Sequence, residues 1–325
     1  MEKINVLVVS PFEEKHQKRL DSDPRLEVIY RDRKQCENEV VTKADIIIGN
    51  PVKEQMKYAK NLKVLQLGSA GSDGFTEEGV LPSGCILCNA SGAYGLALSE
   101  HMVAMTLMLM KKYPYYLKKQ MQHQWAKGSK IKSIYGSVFL IVGLGDIGSE
   151  FAKRVKAMGA YTIGIRRHVS NQLPDYLDEL HPMSDLKQLL KRADVVTLSL
   201  PSTAETVHMF DWECFQSMKK EAYLINVGRG DVMKGQDLLK ALEENEIAGA
   251  AIDVYEKEPM PEEDALWDQD NLIITPHIAG GYWLSETFDR FVEIALDNID
   301  RYAQGKELRN VVDFKSGYRK YSKEG

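Results

Sequence analysis

The stretch Asn226-Val-Gly-Arg-Gly230 sets an arginine between two glycines, directly after the apolar run 222–225. Such a guanidinium has little packing reason to be there. At the carboxyl edge of a parallel sheet, where ligands bind, its planar, permanently charged fork suits a carboxylate; the plainer reading is a salt-bridged turn. A second apolar run, 249–252, leads into Asp253-Val-Tyr-Glu-Lys-Glu-Pro259, a loop carrying the acids Asp253, Glu256 and Glu258. A third run ends in Thr275-Pro-His-Ile-Ala-Gly280. His277 is one of seven histidines, and alone any of them reads as structural. An Arg, a Glu and a His, each just past its own strand end in one parallel sheet, read instead as a set converging on one crevice.

Gly143-Leu-Gly-Asp-Ile-Gly148 follows the apolar run 138–142 and opens a helical pattern over 149–158. That strand-to-helix setting gives G-x-G-x-x-G its physical meaning. Gly143 permits a tight turn, Gly145 lets a pyrophosphate approach the backbone, and Gly148 allows helix to pack on strand, with the helix N-terminus facing the anion. The competing reading is a glycine-rich turn of another doubly wound fold.

These motifs need a scaffold of parallel α/β units, and the sequence alternates accordingly. Strands are expected at 4–9, 26–30, 45–49, 64–67 and 86–88, with amphipathic segments at 11–20 and 53–60 between them. A long methionine-rich helix is expected over 95–119, where methionine reads as adaptable packing. A second series follows at 138–142, 161–165, 194–200, 222–227, 249–253 and 272–275, and then an amphipathic helix over 284–302. With no linker between the series, the second is expected to be an insertion. Residues 1–101 and 285–325 would form one α/β domain, flavodoxin-like, and residues 102–284 a Rossmann doubly wound domain.

At 325 residues the chain is long enough for two cores. A formal net charge of −5 argues against a grip on a nucleic-acid backbone. The longest near-apolar run, 102–110, is too short to cross a bilayer, and the first residues lack a signal-peptide pattern. Four cysteines are too few for a disulfide scaffold at this length, so a cytoplasmic, reducing setting is expected. Cys85 and Cys88 have C-x-x-C spacing, but on a strand they would face opposite ways, and no metal is expected. Lys111-Lys112 and Lys118-Lys119, spaced by Tyr113, Tyr115 and Tyr116, read as a solvated or subunit-facing helix end. The basic tail 315–323 reads as a solvated end with no assigned role.

Taken in order, the four motifs at 143–148, 226–230, 253–259 and 275–280 resemble the D-isomer-specific 2-hydroxyacid dehydrogenases, in particular the NADP-type glyoxylate/hydroxypyruvate reductases. Residues 62–75, with Ser69-Ala-Gly71, look like that family's substrate-domain loop, and 89–101 like the start of its crossover helix. The resemblance implies an NAD(P)-dependent 2-keto acid reductase with catalytic residues Arg229, Glu258 and His277. His277 would give the proton to the carbonyl oxygen, Glu258 would hydrogen-bond its other ring nitrogen, and Arg229 would hold the substrate. Glu258 is preferred to Glu256 because it stands directly before Pro259; Glu256 is expected to face solvent. Arg229 and the backbone of Ser69, Ala70 and Gly71 would bind the substrate carboxylate.

The cofactor would lie along Gly143, Gly145, Asp146, Ile147 and Gly148, with Leu200, Pro201, Thr206, Val227, Gly228, Asp253, His277 and Gly280 completing its site. One feature departs from the common NAD pattern. Where an acidic residue would accept from the ribose 2′-OH, at the end of the run 161–165, stand Arg166 and Arg167. Two guanidinium groups suit a 2′-phosphate, with His168 or Ser170 as further donors, so NADP(H) is the expected cofactor and NAD(H) the second choice. Side chains near 69–71, Tyr94 and Trp283 would set the substrate. A homodimer is expected through the second domain and the aromatic segment 113–135. The alternative from another class is a cofactor-sensing, corepressor-like interaction protein of the same fold.

Overall fold

The computed structural model describes residues 3–72, 74–128, 130–167, 172–282 and 284–320, and the chain divides into two compact units. The first unit comprises Met1–Tyr94 and Tyr282–Gly325. Its five-stranded sheet is built from β1 (Ile4–Val8), β2 (Leu26–Tyr30), β3 (Ile46–Ile48), β4 (Val64–Gln66) and β5 (Ile86–Cys88), in the order β2-β1-β3-β4-β5. All neighbours are parallel, as in Val6 paired with Val28 and Ile46. This is the flavodoxin-like order. Continuous apolar strands such as Ile46-Ile-Ile48 are buried throughout because helices cover both faces of such a sheet. Between the strands lie α1 (Glu14–Asp21), α2 (Asn38–Lys43) and a 3₁₀ segment, Lys53–Tyr58.

The chain leaves this unit at α3 (Gly95–Met110) and continues through α4 (Tyr113–Met121) into the second unit, Gly95–Gly281. Seven parallel strands follow: β6 (Val138–Val142), β7 (Tyr161–Ile165), β8 (Glu179–His181), β9 (Val195–Leu198), β10 (Tyr223–Asn226), β11 (Gly249–Ile252) and β12 (Leu272–Ile274). They are ordered β8-β7-β6-β9-β10-β11-β12. The winding reverses between β6 and β9, where Val142 pairs with Leu198, so a crevice opens at their carboxyl ends. The connecting helices are α5 (Asp146–Ala157), α6 (Leu186–Leu190), α7 (Trp212–Ser217) and α8 (Gly235–Glu243). Leu140, Val142, Ile163, Val196, Leu198, Leu224 and Phe215 are among the fully buried side chains of this core. Burying a side chain of that size stabilises by about 1.5–3 kcal/mol. Then α9 (Ser285–Ala303) returns to the first unit with Phe288, Phe291, Val292, Ala295 and Ile299 along one buried stripe. Its buried Asn298 donates to Gln66 Oε1 of β4 at 2.6 Å. Among the described residues no helix is long and apolar enough to cross a membrane.

The structure departs from the expected elements in several places, one of them an antiparallel pair, Val312–Asp313 with Tyr318–Arg319, whose second strand lies inside the stretch expected to be a solvated end. The helix foreseen over 95–119 is two helices, because Lys112 takes a left-handed φ of +61° and Pro114 sits in the first turn of α4, where a missing N–H costs nothing. Strand β8 was not foreseen. It is a polar edge strand whose Glu179 and His181 side chains bond each other at 2.8 Å, while Arg192 donates to Glu179 at 2.9 Å. The chain crosses between units at Tyr94/Gly95 and Gly281/Tyr282 rather than at 102 and 285. The whole of α3 belongs with the second unit because its first amide, that of Gly95, donates to Asp146 Oδ2 at 2.7 Å and the helix packs along α5.

The packing of α5 on β6 depends on Gly148, where a Cβ would lie 1.9 Å from the Gly143 carbonyl oxygen. Alanine gains about 1 kcal/mol over glycine in a helix, but overpacking against a backbone atom costs about 1–3 kcal/mol, and this contact is extreme. Gly148→Ala is therefore expected to lower the denaturation midpoint by the equivalent of about 1–2 kcal/mol at an unchanged denaturant slope. A midpoint equal to the parent's would mean that α5 lies farther from β6 than it does here.

Candidate active site

Each functional segment of the second unit begins where a buried strand ends. After β6, Gly143 turns the chain with φ +100°, and a Cβ there would meet the Ser199 carbonyl at 2.8 Å. Ser199 Oγ donates to the Gly143 carbonyl at 2.8 Å, joining the ends of β6 and β9. Gly145 is the N-cap of α5 and no side chain caps that helix. Among the described residues no acceptor engages the amides of Ile147 and Gly148. Open amides, a positive helix end and a glycine cradle without Cβ atoms fit a pyrophosphate. Asp146 turns its carboxylate to Gly95. After β9, Leu200 is buried, and Thr206 Oγ1 donates to the Pro201 carbonyl at 2.6 Å and accepts from the Thr203 amide, fixing this loop.

After β10, buried Asn226 shapes the arginine loop. Its Oδ1 accepts from the Gly228 amide at 3.0 Å and its Nδ2 donates to the Arg229 carbonyl at 3.1 Å. Val227 is buried, its amide on the Leu198 carbonyl. The two glycines flanking Arg229 have separate packing reasons. A Cβ on Gly228 would lie 2.6 Å from the Leu200 carbonyl oxygen, and one on Gly230 would lie 1.9 Å from the Tyr255 carbonyl carbon. The arginine loop is thus pressed between the loops that follow β9 and β11. Arg229 itself is half-buried, and its Nη1 donates to the Gly228 carbonyl at 2.9 Å.

After β11, Asp253 is 2% exposed and organises the turn that follows β12. Its Oδ1 accepts from the Thr275 hydroxyl at 2.6 Å and the Ile278 amide at 3.0 Å, its Oδ2 from the Ala279 amide at 3.1 Å. Its carbonyl accepts from the His277 amide at 2.8 Å. These bonds hold His277 at φ +53°, a left-handed conformation that costs of order 1–3 kcal/mol when unsupported. Gly280 closes the same turn, half-buried. His101 of α3 stands behind it, Nε2 at 3.2 Å from Thr275 Oγ1 and 4.0 Å from Asp253 Oδ1. Burial holds the His101 ring below the usual histidine range, against the pull of Asp253.

His277 Nδ1 lies 2.7 Å from Glu258 Oε2, while Glu258 Oε1 accepts from the Tyr255 amide at 3.0 Å. A carboxylate at Nδ1 fixes the tautomer with its proton there and turns Nε2 outward. No described residue bonds Nε2, and the ring is about half exposed. Glu256 is exposed, as expected, but it is also bonded. Its Oε2 accepts from the Gly235 amide at 2.6 Å, at the positive end of α8, and its Oε1 lies 2.9 Å from His208 Nε2.

In the first unit, Ser69, Ala70 and Gly71 follow β4. Their amides donate to no described residue, whereas Ser69 Oγ is committed to the loop, accepting from Asn50 Nδ2 at 2.9 Å and donating to the Gly71 carbonyl at 2.7 Å. Backbone rather than side chain is therefore what this loop offers a ligand. At the end of β7, the Arg166 amide bonds the His181 carbonyl of β8, and the Arg167 side chain pairs with Glu205, just before Thr206. His168, Ser170, Trp283 and the tail beyond 320 lie outside the described residues.

Asn226 and Thr275 open two of the motifs but were given no role from sequence, and His101, Glu205 and His208 lie outside all four motifs, with no local signal to mark them. Burial pushes the Cys85 and Cys88 thiols up to about 11 and about 12, so both stay protonated and poorly suited to metal or nucleophilic work. Among the described residues no group of three His, Cys, Asp or Glu side chains is placed to hold a metal ion.

The D-3-phosphoglycerate dehydrogenase of Methanocaldococcus jannaschii is 30% identical over 315 residues, which cover 95% of this chain but only 59% of that protein. The chain thus spans about three fifths of that relative's length. A D-isomer specific 2-hydroxyacid dehydrogenase family protein from Aeromonas salmonicida superimposes with a TM-score of 0.86 at 30% identity, over 96% of this chain and 100% of that one. An NADPH-dependent glyoxylate/hydroxypyruvate reductase from Sinorhizobium meliloti, solved with NADP and sulfate, gives 0.82 at 25% identity, covering 97% and 100%. Residues 103–279, more than half of the chain and all three of its arginine, glutamate and histidine loops, match the family described as "D-isomer specific 2-hydroxyacid dehydrogenase, NAD binding domain", and the chain belongs to that dehydrogenase family.

Proposed function

We propose that the protein reduces a small 2-keto acid to the D-2-hydroxy acid, with NADPH as its preferred cofactor and NADH as the second choice. The observation that carries this reading is the His277–Glu258 pair at 2.7 Å, with Nε2 turned outward and Glu258 carried by the loop whose Tyr255 lies against Gly230, next to Arg229. When bound, the reduced nicotinamide supplies the hydride that adds to the carbonyl carbon. His277 gives its Nε2 proton to the carbonyl oxygen as negative charge develops there. Glu258 steadies the ring and its positive charge before the proton leaves. Arg229 holds the carboxylate and carbonyl of the substrate through its fork, and the amides of Ser69, Ala70 and Gly71 take the carboxylate. Asp253 shapes the histidine turn, and Gly143, Gly145, Ile147 and Gly148 receive the pyrophosphate.

The cofactor preference rests on Arg166 and Arg167 at the end of β7, where no acid stands to receive a ribose 2′-OH. The Sinorhizobium reductase described with NADP supports it. A homodimer is supported by apolar side chains left open on the second unit between α4 and β6. Met121, Trp125 and Tyr135 are 86%, 102% and 79% exposed, more than a monomer's surface commonly tolerates in one segment. Four unpaired, buried thiols suit a reducing, cytoplasmic setting.

His277→Ala is expected to lower kcat for glyoxylate reduction by roughly 10²–10⁴-fold with KM for NADPH unchanged; near-normal turnover at neutral pH would remove His277 from the reaction. For the cofactor, kcat/KM with NADPH should exceed that with NADH by about a hundredfold, the yield of two charge-assisted hydrogen bonds, and Arg166→Asp should erase the difference. A parent that prefers NADH, or an Arg166→Asp variant that keeps the NADPH preference, would reverse the assignment. Sedimentation at micromolar concentration is expected to give a dimer; a monomer would leave the apolar segment without the proposed role.

A further inference from the structure

The chain leaves the first unit after Tyr94 and re-enters it at Tyr282. Both tyrosine hydroxyls donate to one acceptor, the carbonyl of Gly68, Tyr282 from 2.8 Å. A carbonyl has two lone pairs, so this one is fully satisfied. Tyr94 is buried, and Tyr282 stands on the rings of Phe288 and Phe291 in α9. Burial, with the neighbouring tyrosine as a lesser cause, raises the Tyr94 hydroxyl above the usual range, and burial raises that of Tyr282, so both remain donors. Gly68 has no room for anything larger, since a Cβ would lie 2.2 Å from Tyr282 Oη. The Tyr94 hydroxyl, expected near the substrate, is thus spent on the main chain.

The carbonyl of Gly68 and the amide of Ser69 belong to the same peptide group. The same holds for the next two links. The Ser69 carbonyl, joined to the Ala70 amide, accepts from the Ala90 amide at 2.8 Å. The Ala70 carbonyl, joined to the Gly71 amide, accepts from Asn89 Nδ2 at 2.7 Å. Three successive peptides are therefore bonded at their oxygen ends while no described residue takes their N–H ends. A donor on the oxygen polarises the peptide and strengthens the opposite N–H as a donor, an effect of perhaps 10–30% per bond. The Gly68–Ser69 peptide carries two such donors, the others one each.

We propose that Tyr94 and Tyr282 are positioning residues for the substrate's carboxylate, acting through the Gly68–Ser69 peptide. They hold the loop in place and polarise the first of the three amides that face the anion. The inference rests on the 2-keto acid reading of the site.

The test compares Tyr94→Phe, Tyr282→Phe and the double variant with the parent. It uses KM for glyoxylate, KM for NADPH, kcat, and inhibition by oxamate, which carries the carboxylate but is not reduced. Each single variant should raise KM for glyoxylate and the inhibition constant of oxamate together, by about three- to tenfold, with KM for NADPH unchanged. The double variant should exceed the product of the two, because a carbonyl that keeps one donor is still satisfied and one that loses both is a buried orphan. If Tyr94→Phe fails to fold, Tyr282→Phe, which keeps its ring stack, decides the matter alone. Unchanged glyoxylate and oxamate values, or a matching rise in KM for NADPH, would overturn the proposal while leaving the keto acid reading intact. A parent protein that reduces no 2-keto acid would overturn the reading and this inference with it.

Discussion

Around the carboxyl ends of β6, β9, β10 and β11, main chain lies against main chain with no space for a side-chain carbon. Gly143 and Gly148 bring the β6 turn, the β9 turn and α5 together; Gly228 sits on Leu200 and Gly230 on Tyr255. The chemistry of the second unit depends on these contacts, because each functional side chain is carried by a loop whose path they fix. Arg229 is placed by glycines on both sides, so its guanidinium starts from a backbone that cannot drift by the width of a methyl group. The same contacts tie the arginine loop to the acidic loop, and through Asp253 to the histidine turn. Placement of Arg229, Glu258 and His277 is one property of the sheet edge, not three independent ones.

Three carboxylates lie within six residues, and their surroundings separate their tasks. Asp253 is buried and accepts only from neutral donors, which makes it a template for the turn. Glu256 answers the N-terminus of α8 and His208. Glu258, more exposed, is steadied by one amide and keeps its second oxygen for His277. A template must be rigid and dry. On the proposed reading Glu258 would support a proton donor, and so has to tolerate a ring that changes charge; partial exposure lowers the cost of that change.

Much of this was legible in the sequence where the physics is local. G-x-G-x-x-G after a strand, Arg between glycines, and His at a strand end all declare themselves by neighbours in the chain, and the alternation of apolar runs gives both sheets. What escaped is what depends on residues far apart. The two tyrosines that share Gly68 are 188 positions apart in the chain by their numbers; Tyr94 stood out as a residue near the substrate, but its convergence with Tyr282 on one carbonyl did not. Strand β8 has no apolar pattern because it is an edge held by ion pairs to Arg192. The break at Lys112 is local, but it needed the left-handed residue as well as Pro114 to stop a helix whose apolar pattern runs on. Glu256 shows the same limit, since its exposure was legible on the loop but its bond to the first amide of α8 was not.

The pairing of Arg167 with Glu205 bears on the cofactor reading and looks at first like an objection to it. Both side chains are more than half exposed, at 52% and 71%. An ion pair in that setting contributes about 0–1 kcal/mol and weakens further with salt. A phosphate offers the same guanidinium a doubly charged, multi-oxygen partner, and hydrogen bonds to charged groups contribute about 1.5–3 kcal/mol. On the proposed reading the exchange would favour the phosphate, with Glu205 as the partner of Arg167 until it binds. For the other cofactor Glu205 sets neither a gain nor a cost. With a ribose hydroxyl in place of the phosphate there is no anion to draw Arg167 away, so the pair persists and the guanidinium contributes nothing to the bound state. Breaking the pair is a cost that falls on NADP(H) alone, so on the proposed reading Glu205 narrows the gap between the two nicotinamide cofactors by no more than about 1 kcal/mol and leaves its sign unchanged.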